Sequence, residues 1–269
     1  MIQEKIMLPI KDGKATLNTY VIENFREIQL DRKRPAVIIC PGGGYEFISE
    51  REAEPIAIKM LNYGFQAFVL NYSVKPAVFP QALLELASAV KMVRQNCDKW
   101  GVDPEKIAVA GFSAGGHLAA SLGVFWEEDF LSAELKGKSS DWQPNALMLA
   151  YPVITSDEFS HEDSFKALLG DDLSHKEEFS LEKKVTKQTP PTFLWHTLED
   201  GLVPAENSLL FAQALRKEDI PFALHVFPKG GHGLSLASVE SDLPQSDNIR
   251  DDVAVWPDLF SQWLKITLA

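Results

Sequence analysis

Six short apolar runs divide the chain at intervals typical of a layered fold. Each run is four to six residues long, largely apolar throughout, and separated from the next by glycines, prolines or charged residues. Strands of this kind are typical of a parallel sheet that is covered on both faces. The runs occupy residues 36–40, 65–70, 107–110, 146–150, 192–195 and 222–227.

Between these runs, apolar residues recur at the three- and four-residue spacing of amphipathic helices. The clearest stripe begins near Gln81 and includes Leu83, Leu86, Val90 and Val93. Ahead of the first run, residues 16–22 alternate in polarity and predict an antiparallel edge strand. Further helices are predicted at residues 53–61, from the glycines near 115 through Ala119, at 209–215, and from about Pro257 onward, where Phe260, Trp263 and Leu264 are expected to be buried.

The alternation of strands and helices predicts an α/β fold, in which a mostly parallel twisted sheet carries helices on both faces. No repeat, low-complexity tract or linker divides the sequence, so we predict a single domain over residues 1–269. The charged residues 155–188 are too many for a simple connection. We predict short helices there, as a solvated decoration or as a small cap-like insertion over the edge where such folds bind ligands.

The chain has 38 acidic and 26 basic residues, a formal net charge of −12 and a pI near 5.0. This charge disfavours nucleic acid or an anionic membrane as the principal partner. No run of about 18 apolar residues is present, and Glu4 and Lys5 interrupt any signal-peptide core. Cys40 and Cys97 are expected to be buried free thiols, which favours a reducing compartment. We therefore predict a cytoplasmic protein.

The strongest chemical signal is the sequence Gly-Phe-Ser-Ala-Gly-Gly at residues 111–116. It matches the G-x-S-x-G pattern, and it follows a predicted strand and opens a predicted helix, as that motif requires. A serine in such a turn has a strained backbone, and glycines two positions away avoid collisions with it. The following helix directs free N–H groups towards developing negative charge. Ser113 is therefore the candidate nucleophile.

A serine nucleophile needs a base, and His232 is the candidate that its position favours. It lies in a glycine-rich loop directly after the last predicted strand, and so at the carboxyl edge of the sheet. His117 lies one helical turn beyond Ser113, and His225 lies within a strand. His196 is expected to pack beneath its loop, whereas His161 and His175, in the charged insertion, are expected to be exposed to solvent.

The base needs an orienting carboxylate, for which Asp200 is the first candidate and Glu199 the second. Both follow the fifth apolar run, and Gly201 provides a turn that frees the Asp200 carboxylate to face the loop of His232. The order Ser113, Asp200, His232 is the order of the catalytic groups in one class of α/β enzymes. A charge at the N-terminus of the next helix is the alternative role for either acid.

Attack on an acyl carbon would also need donors for an oxyanion. The glycines of residues 41–45 follow the first apolar run, where such donors belong. We assign this role to the N–H groups of Gly43 and Gly44, together with that of Ala114. No Lys-Ser/Thr pair follows the glycines, which argues against a phosphate-binding loop.

Taken together, these motifs resemble the α/β-hydrolase esterase/lipase family related to hormone-sensitive lipase. The resemblance is closest to its branch of carbohydrate acetyl esterases and xylanase-associated esterases. Pro41 stands where the family usually has the histidine of His-Gly-Gly-Gly, Thr197 follows His196 where a glycine is common, and the N-terminal cap of the lipase-like members is missing. The resemblance rests on residues 41–45, 71–73 with 79–82, 111–118, and Asp200 with His232.

The resemblance implies a serine carboxylesterase acting on short acyl esters, for example O-acetyl groups on sugars or oligosaccharides. No metal or organic cofactor is implied, and the expected partner is a small-molecule ester. Tyr45, Phe112 and Tyr151 follow strand ends, where they either line a substrate pocket or serve packing. A homodimer is compatible with the sequence, which does not specify an oligomeric state.

Two alternatives use the same scaffold. The sequences at residues 111–116 and 200–204 also resemble serine peptidases of the prolyl-oligopeptidase type, but the chain is too short for their β-propeller domain. The other alternative is a non-catalytic binding protein that keeps the pocket. Such proteins usually lose the base, whereas His232 is present.

Overall fold

An eight-stranded sheet organises the chain in the computed structural model, which describes residues 1–11, 13–244 and 246–269. The strands follow one another across the sheet in the order β1-β2-β4-β3-β5-β6-β7-β8. They are β1 (Lys5–Met7), β2 (Thr16–Tyr20), β3 (Arg34–Cys40), β4 (Gln66–Asn71), β5 (Val102–Phe112), β6 (Ala146–Ala150), β7 (Thr192–Thr197) and β8 (Phe222–Phe227).

The pairing of β3 to β8 is parallel throughout, whereas β1, β2 and β4 pair in antiparallel fashion. The prediction that residues 16–22 form an edge strand is wrong, because β1 pairs outside β2 and takes the edge. In the parallel part, Cys40 is in register with Gly111, and Ala150 with Trp195. The carboxyl ends of four strands therefore reach the same edge, and the loops that follow them meet there.

Eight α-helices cover the two faces of this sheet in the described residues. They are α1 (Glu54–Asn62), α2 (Gln81–Gln95), α3 (Cys97–Trp100), α4 (Ala114–Phe125), α5 (Asp129–Leu135), α6 (Glu162–Leu169), α7 (Glu206–Lys217) and α8 (Trp256–Thr267). Helices α1 and α8 pack on one face, and α2, α4, α5 and α7 on the other, so that two separate apolar cores form. The predicted α/β architecture with helices on both faces is confirmed.

The central strands are as apolar as the sequence pattern predicts. All five residues of β6 are fully buried, as are those from Ala36 to Cys40 in β3. A strand that lies between two helix layers has no solvent-facing side, so each of its positions favours an apolar residue. Cys40 is a buried free thiol as predicted, but Cys97 is only partly buried.

Among the helices of the described ranges, none is both long and apolar enough to cross a membrane.

Candidate active site

Ser113 lies in the tight turn between the end of β5 and the start of α4. Its backbone has φ 54° and ψ −120°, a conformation that side-chain-bearing residues rarely adopt. A Cβ atom on Gly111 would lie 2.1 Å from the carbonyl oxygen of Gly115, and one on Gly115 would lie 2.1 Å from the carbonyl oxygen of Cys40. Only glycine fits at both positions, which explains the spacing of the motif around the serine.

The structure brings Ser113, His232 and Asp200 together from three separate loops. Nε2 of His232 lies 2.8 Å from Oγ of Ser113, and Nδ1 of the same ring lies 2.7 Å from Oδ2 of Asp200. Both distances are those of good hydrogen bonds. This arrangement leaves Nε2 as an acceptor for the serine proton when Nδ1–H donates to the carboxylate.

The carboxylate of Asp200 is fully buried, yet it remains well supplied with donors. Its Oδ1 accepts N–H groups from Leu202 at 3.0 Å and Val203 at 2.9 Å, and Oδ2 lies 3.3 Å from Nε2 of His196. Burial alone would raise the pKa of Asp200, but the hydrogen bonds from His196, His232 and the Val203 amide outweigh it. The pKa of Asp200 is therefore held well below its usual range, so the group is a carboxylate.

Glu199, the second candidate acid, contacts Lys229 and Gly230 and not His232. Its carboxylate accepts from Nζ of Lys229 at 2.6 Å and from the N–H of Gly230 at 3.1 Å. These bonds hold the beginning of the loop that carries His232 (the His232 loop, residues 228–238). Glu199 therefore contacts that loop without contacting the imidazole.

The other histidines lie in different surroundings. His196 is buried as predicted, and it also contacts Asp200. Nδ1 of His196 lies 2.8 Å from Oγ of Ser208. His117 is buried behind Ser113, with Nδ1 3.0 Å from the Tyr45 hydroxyl. His175 is exposed as predicted, but the prediction that His161 is exposed is wrong. His161 is half-buried and lines the pocket next to His232, because the insertion folds back over the site.

The loop after β3 (the glycine loop, residues 41–49) is held in one orientation by its own backbone. The carbonyl of Gly42 accepts the N–H of Ser49 at 3.0 Å, and that of Gly43 accepts the N–H groups of Glu46 at 2.9 Å and Phe47 at 3.1 Å. In a trans peptide the N–H points opposite to the carbonyl. The N–H groups of Gly43 and Gly44 therefore point away from these bonds.

In the described part of the chain, no acceptor is within hydrogen-bonding reach of the N–H groups of Gly43, Gly44 or Ala114. Gly43 and Gly44 have φ values of 125° and 64°, which glycine tolerates best. A Cβ on the preceding Gly42 would lie 3.0 Å from Cβ of Ser113, which puts the loop against the candidate nucleophile. Three free N–H donors next to a serine are what an oxyanion requires.

The three aromatic residues named as pocket candidates do not line the pocket, and that prediction is corrected. Tyr45, Phe112 and Tyr151 are 3%, 0% and 2% exposed and lie beneath the site. The hydroxyl groups of Tyr45 and Tyr151 contact the buried side chains of His117 and Glu52, and Phe112 faces the core that contains Trp256. Tyr151 packs its ring edge-on against His232, at 5.1 Å between ring centroids.

The pocket above Ser113 has a volume of about 650 Å³ and a mixed lining. Phe47, Leu202 and Leu243 are large apolar side chains at its rim, and they are 62%, 55% and 47% exposed. Polar side chains face the same space. The charged or titratable lining residues beside the triad are Glu46, Glu50, Arg51, Glu52, His161 and Asp163.

The charged insertion, residues 155–188, contains α6 and two short 3-10 helices, Lys176–Phe179 and Leu181–Lys183. Its inner side chains are buried against the body of the protein, and Nε2 of His117 lies 3.2 Å from the carbonyl oxygen of Phe179. The short helices predicted here are present, and His161 and Asp163 line the pocket, as the cap-like alternative requires and a purely solvated decoration does not.

Glu52 was missed from the sequence, although it lies 3% exposed between the glycine loop and Tyr151. A glutamate near other charged residues gives no periodic signal that it is buried. No group of three or more His, Cys, Asp or Glu side chains in the described ranges is arranged to hold a metal ion.

A family model described as BD-FAE matches residues 25–215. The chain is 41% identical over 216 residues to "Endo-1,4-beta-xylanase B" of Butyrivibrio fibrisolvens, covering 78% of this chain and 34% of that protein. It is 27% identical to an "Acetylxylan esterase" of Xylanibacter ruminicola, covering 91% of this chain and 48% of that protein. The chain therefore spans less than half the length of these curated relatives.

A solved structure matches almost from end to end. It is the "acetyl ester-xyloside bifunctional hydrolase" of Caldicellulosiruptor lactoaceticus, with 36% identity and a TM-score of 0.82. The match covers 98% of this chain and 96% of that one. The sheet topology, the turn at Ser113 and this likeness together confirm the α/β-hydrolase fold that the sequence motifs predicted.

Proposed function

Because the chain belongs to the BD-FAE family, we propose that it is a serine carboxylesterase that hydrolyses short acyl esters. The observation that carries this proposal is the unbroken series of contacts from Ser113 through His232 to Asp200, beside three free N–H groups. A nucleophile, its base and oxyanion donors in one pocket are the parts that acyl transfer needs.

In the acylation step, Nε2 of His232 takes the proton from Oγ of Ser113 while Oγ attacks the ester carbonyl carbon. The carbonyl oxygen becomes an oxyanion that the N–H groups of Gly43, Gly44 and Ala114 stabilise. Loss of one such donor costs about 3 kcal/mol of transition-state stabilisation in comparable sites. His232 then gives its proton to the departing alcohol oxygen, and an acyl-Ser113 ester remains.

In the second half of the reaction, His232 takes a proton from water as the water oxygen attacks the acyl carbon. The tetrahedral intermediate collapses, Ser113 leaves as the alkoxide and recovers the proton, and the carboxylic acid product is released. Asp200 holds the imidazole in the required tautomer and stabilises the imidazolium that forms in each half. Its own low pKa keeps it charged throughout.

We propose an O-acetyl group on a sugar or xylo-oligosaccharide as the substrate. The supporting observations are the relatives whose names refer to acetyl esters and xylosides, and the polar side chains around the mouth of the pocket. We further propose that the chain is one domain in which residues 155–188 act as a small cap. In this proposal His161 and Asp163, which line the pocket, contact the alcohol part of the ester.

Ester chain length and sugar acetylation provide the test. We expect kcat/KM to be highest for p-nitrophenyl acetate and to fall as the acyl chain lengthens to decanoate. The protein should also release acetate from acetylated xylo-oligosaccharides. Ser113→Ala should abolish both this release and the hydrolysis of p-nitrophenyl acetate. A rise in kcat/KM from acetate to decanoate would contradict the short-acyl proposal, and turnover of aminoacyl-proline amides in place of acetyl esters would favour the peptidase alternative.

A further inference from the structure

Glu52 is a buried carboxyl group for which the mechanism above has no use. It ends a short 3-10 helix, Glu50–Glu52, and only 3% of it is exposed. Burying a carboxyl group is costly unless both of its oxygens find donors. Both do: Oε2 accepts the N–H of Gly42 at 2.7 Å, and Oε1 accepts the hydroxyl of Tyr151 at 2.6 Å.

The bond to Gly42 restrains the oxyanion side of the site. Gly42 is fixed at both ends, since its N–H donates to Glu52 and its carbonyl accepts the N–H of Ser49. The carbonyl of Gly42 and the N–H of Gly43 belong to the same planar peptide. Fixing Gly42 therefore fixes the direction of the first proposed oxyanion donor.

The bond to Tyr151 restrains the base side of the site. The Tyr151 hydroxyl accepts the N–H of Ser235 at 3.0 Å, and its ring lies edge-on against His232. Burial, together with the nearby Glu52, raises the pKa of Tyr151 well above its usual value, so the hydroxyl stays protonated and donates to Glu52. Glu52 thus reaches the His232 loop through a single side chain.

The neighbouring residue Arg51 contacts the same loop. Its guanidinium donates to the carbonyl oxygen of Gly233 in this loop and to that of Ser241 beyond it, and the carbonyl of Arg51 accepts the hydroxyl of Ser235 at 2.7 Å. Arg51 is therefore bonded directly to the loop that carries the base, and Glu52 is joined to it through Tyr151. Glu52 is also bonded directly to the loop that carries the oxyanion donors.

We propose that Glu52 is a positioning residue that sets the distance between the oxyanion donors and His232. Its two carboxyl oxygens are bonded to Gly42 and Tyr151 and not to the imidazole, so it acts through Gly42 on one side and Tyr151 on the other. Asp200 orients the imidazole ring, whereas Glu52 orients the two loops relative to each other. This inference rests on the proposed esterase function.

The test compares Glu52→Gln with Glu54→Gln, a matched change at an exposed glutamate two residues away. Each preparation is first titrated with a fluorophosphonate, which counts the sites in which Ser113 is reactive. Turnover of p-nitrophenyl acetate is then expressed per titrated site. We expect Glu52→Gln to lower kcat per site at least tenfold with KM within about twofold of the wild type, and Glu54→Gln to match the wild type.

Titration separates positioning from a merely structural role, because partial unfolding lowers the number of reactive sites but leaves the turnover of each site unchanged. Wild-type turnover per site in Glu52→Gln would overturn the inference and leave the esterase proposal intact. A wild-type protein that neither reacts with the probe nor hydrolyses the ester would instead overturn the proposed function.

A second variant identifies the route by which Glu52 acts. Tyr151→Phe keeps the ring against His232 but removes the hydroxyl that joins Glu52 to Ser235. We expect Tyr151→Phe to lower kcat per site, and the double variant Glu52→Gln/Tyr151→Phe to lose less than the product of the two separate effects. Fully multiplicative effects would show that the two side chains act independently and would contradict the proposed linkage.

Discussion

The two oxygens of the Asp200 carboxylate have different hydrogen-bond partners. Oδ1 is occupied by the N–H groups of Leu202 and Val203, which fix the group within its own turn, and Oδ2 faces His232. His196 shares Oδ2 from the opposite side, at 3.3 Å. Because one oxygen is immobilised by the backbone, the other has little freedom, and the imidazole is oriented by a rigid partner.

Replacing Asp200 by Asn should be far more harmful than replacing its neighbour Glu199. An amide that donates to Nδ1 stabilises the wrong imidazole tautomer, so we expect kcat to fall by about 10⁴-fold. Glu199→Gln is the matched control, since Glu199 is bonded to Lys229 and is at the surface. Steady-state kinetics on p-nitrophenyl acetate provides the comparison, and equal losses in both variants would count against Asp200 as the orienting acid.

Alanine at Gly43 should disrupt the oxyanion donors. Its Cβ would lie 2.0 Å from the carbonyl oxygen of Phe47, and the φ of 125° is unfavourable for alanine. The loop must therefore move, and we expect kcat to fall roughly 10²–10³-fold. Gly231→Ala is the control, because a Cβ there meets nothing within 4 Å. Steady-state kinetics measures kcat, and thermal unfolding shows that the variant is folded. A wild-type kcat in Gly43→Ala would contradict the assignment of Gly43 as an oxyanion donor.

At the scale of elements, the helix that begins after the nucleophile is also joined to the insertion. His117 of α4 lies between the Tyr45 hydroxyl and the carbonyl of Phe179. Burial lowers its pKa from 6.5 to about 4, although the bond to Phe179 opposes part of this shift. The imidazole is therefore neutral in the folded protein at pH values where it would be protonated in the unfolded chain.

This shift predicts a loss of stability in mild acid. Between pH 6.5 and 4 the unfolded chain binds one more proton at His117, so the free energy of unfolding falls as the pH is lowered, by about 3 kcal/mol in all. Urea unfolding at several pH values measures how the free energy of unfolding depends on pH. His117→Gln should remove the part of this slope that His117 contributes, whereas His175→Gln, at an exposed site, should leave the slope intact. An unchanged slope in His117→Gln would refute the assignment.

Periodicity predicted the main elements because each is long or deeply buried. The apolar run at residues 36–40 became β3 (Arg34–Cys40), and the stripe from Gln81 became α2 (Gln81–Gln95). The strand β1 and the helix α5 were not predicted, since the first has three residues with mostly exposed side chains and the second only seven residues. Such elements are stabilised by tertiary contacts and leave little pattern in the sequence.

In the site, too, residues with a local sequence pattern could be predicted, and residues joined only by tertiary contacts could not. Ser113, Asp200 and His232 could be proposed from the sequence because each lies in the turn or loop after a strand of a parallel sheet, and such strands end at one edge. Glu52 and Tyr151 could not be paired, because they are 99 residues apart and no local pattern connects them. Phe112 was misplaced for a related reason: strand ends reveal which residues approach the edge but not which face each side chain takes.

For the molecule as a whole, the net charge of −12 bears on which substrates can approach. Around the pocket, Glu46 and Asp163 are paired with Lys75 and Lys166, and Arg51 carries a positive charge, so the local charges largely balance. The net charge of the whole molecule repels anions at long range and has no such effect on neutral sugars.

Salt should therefore affect acidic and neutral substrates differently. We expect kcat/KM for an acetylated oligosaccharide that carries a uronic acid to rise as ionic strength increases from 0.01 to about 0.15 M, because screening weakens the repulsion. The neutral acetylated xylo-oligosaccharide of the same length should show little change. A fall in kcat/KM for the acidic substrate would show that a cationic site binds it, contrary to the charge distribution.

In the proposed reaction one hydroxyl, that of Ser113, carries the acyl group during turnover. Stepwise titration with a fluorophosphonate, followed by peptide mapping and by measurement of the remaining acetyl-ester turnover, tests this role most directly. We predict one adduct per chain, located on Ser113, with activity lost in proportion to labelling. Full modification of Ser113 with acetyl-ester turnover still intact would contradict the account.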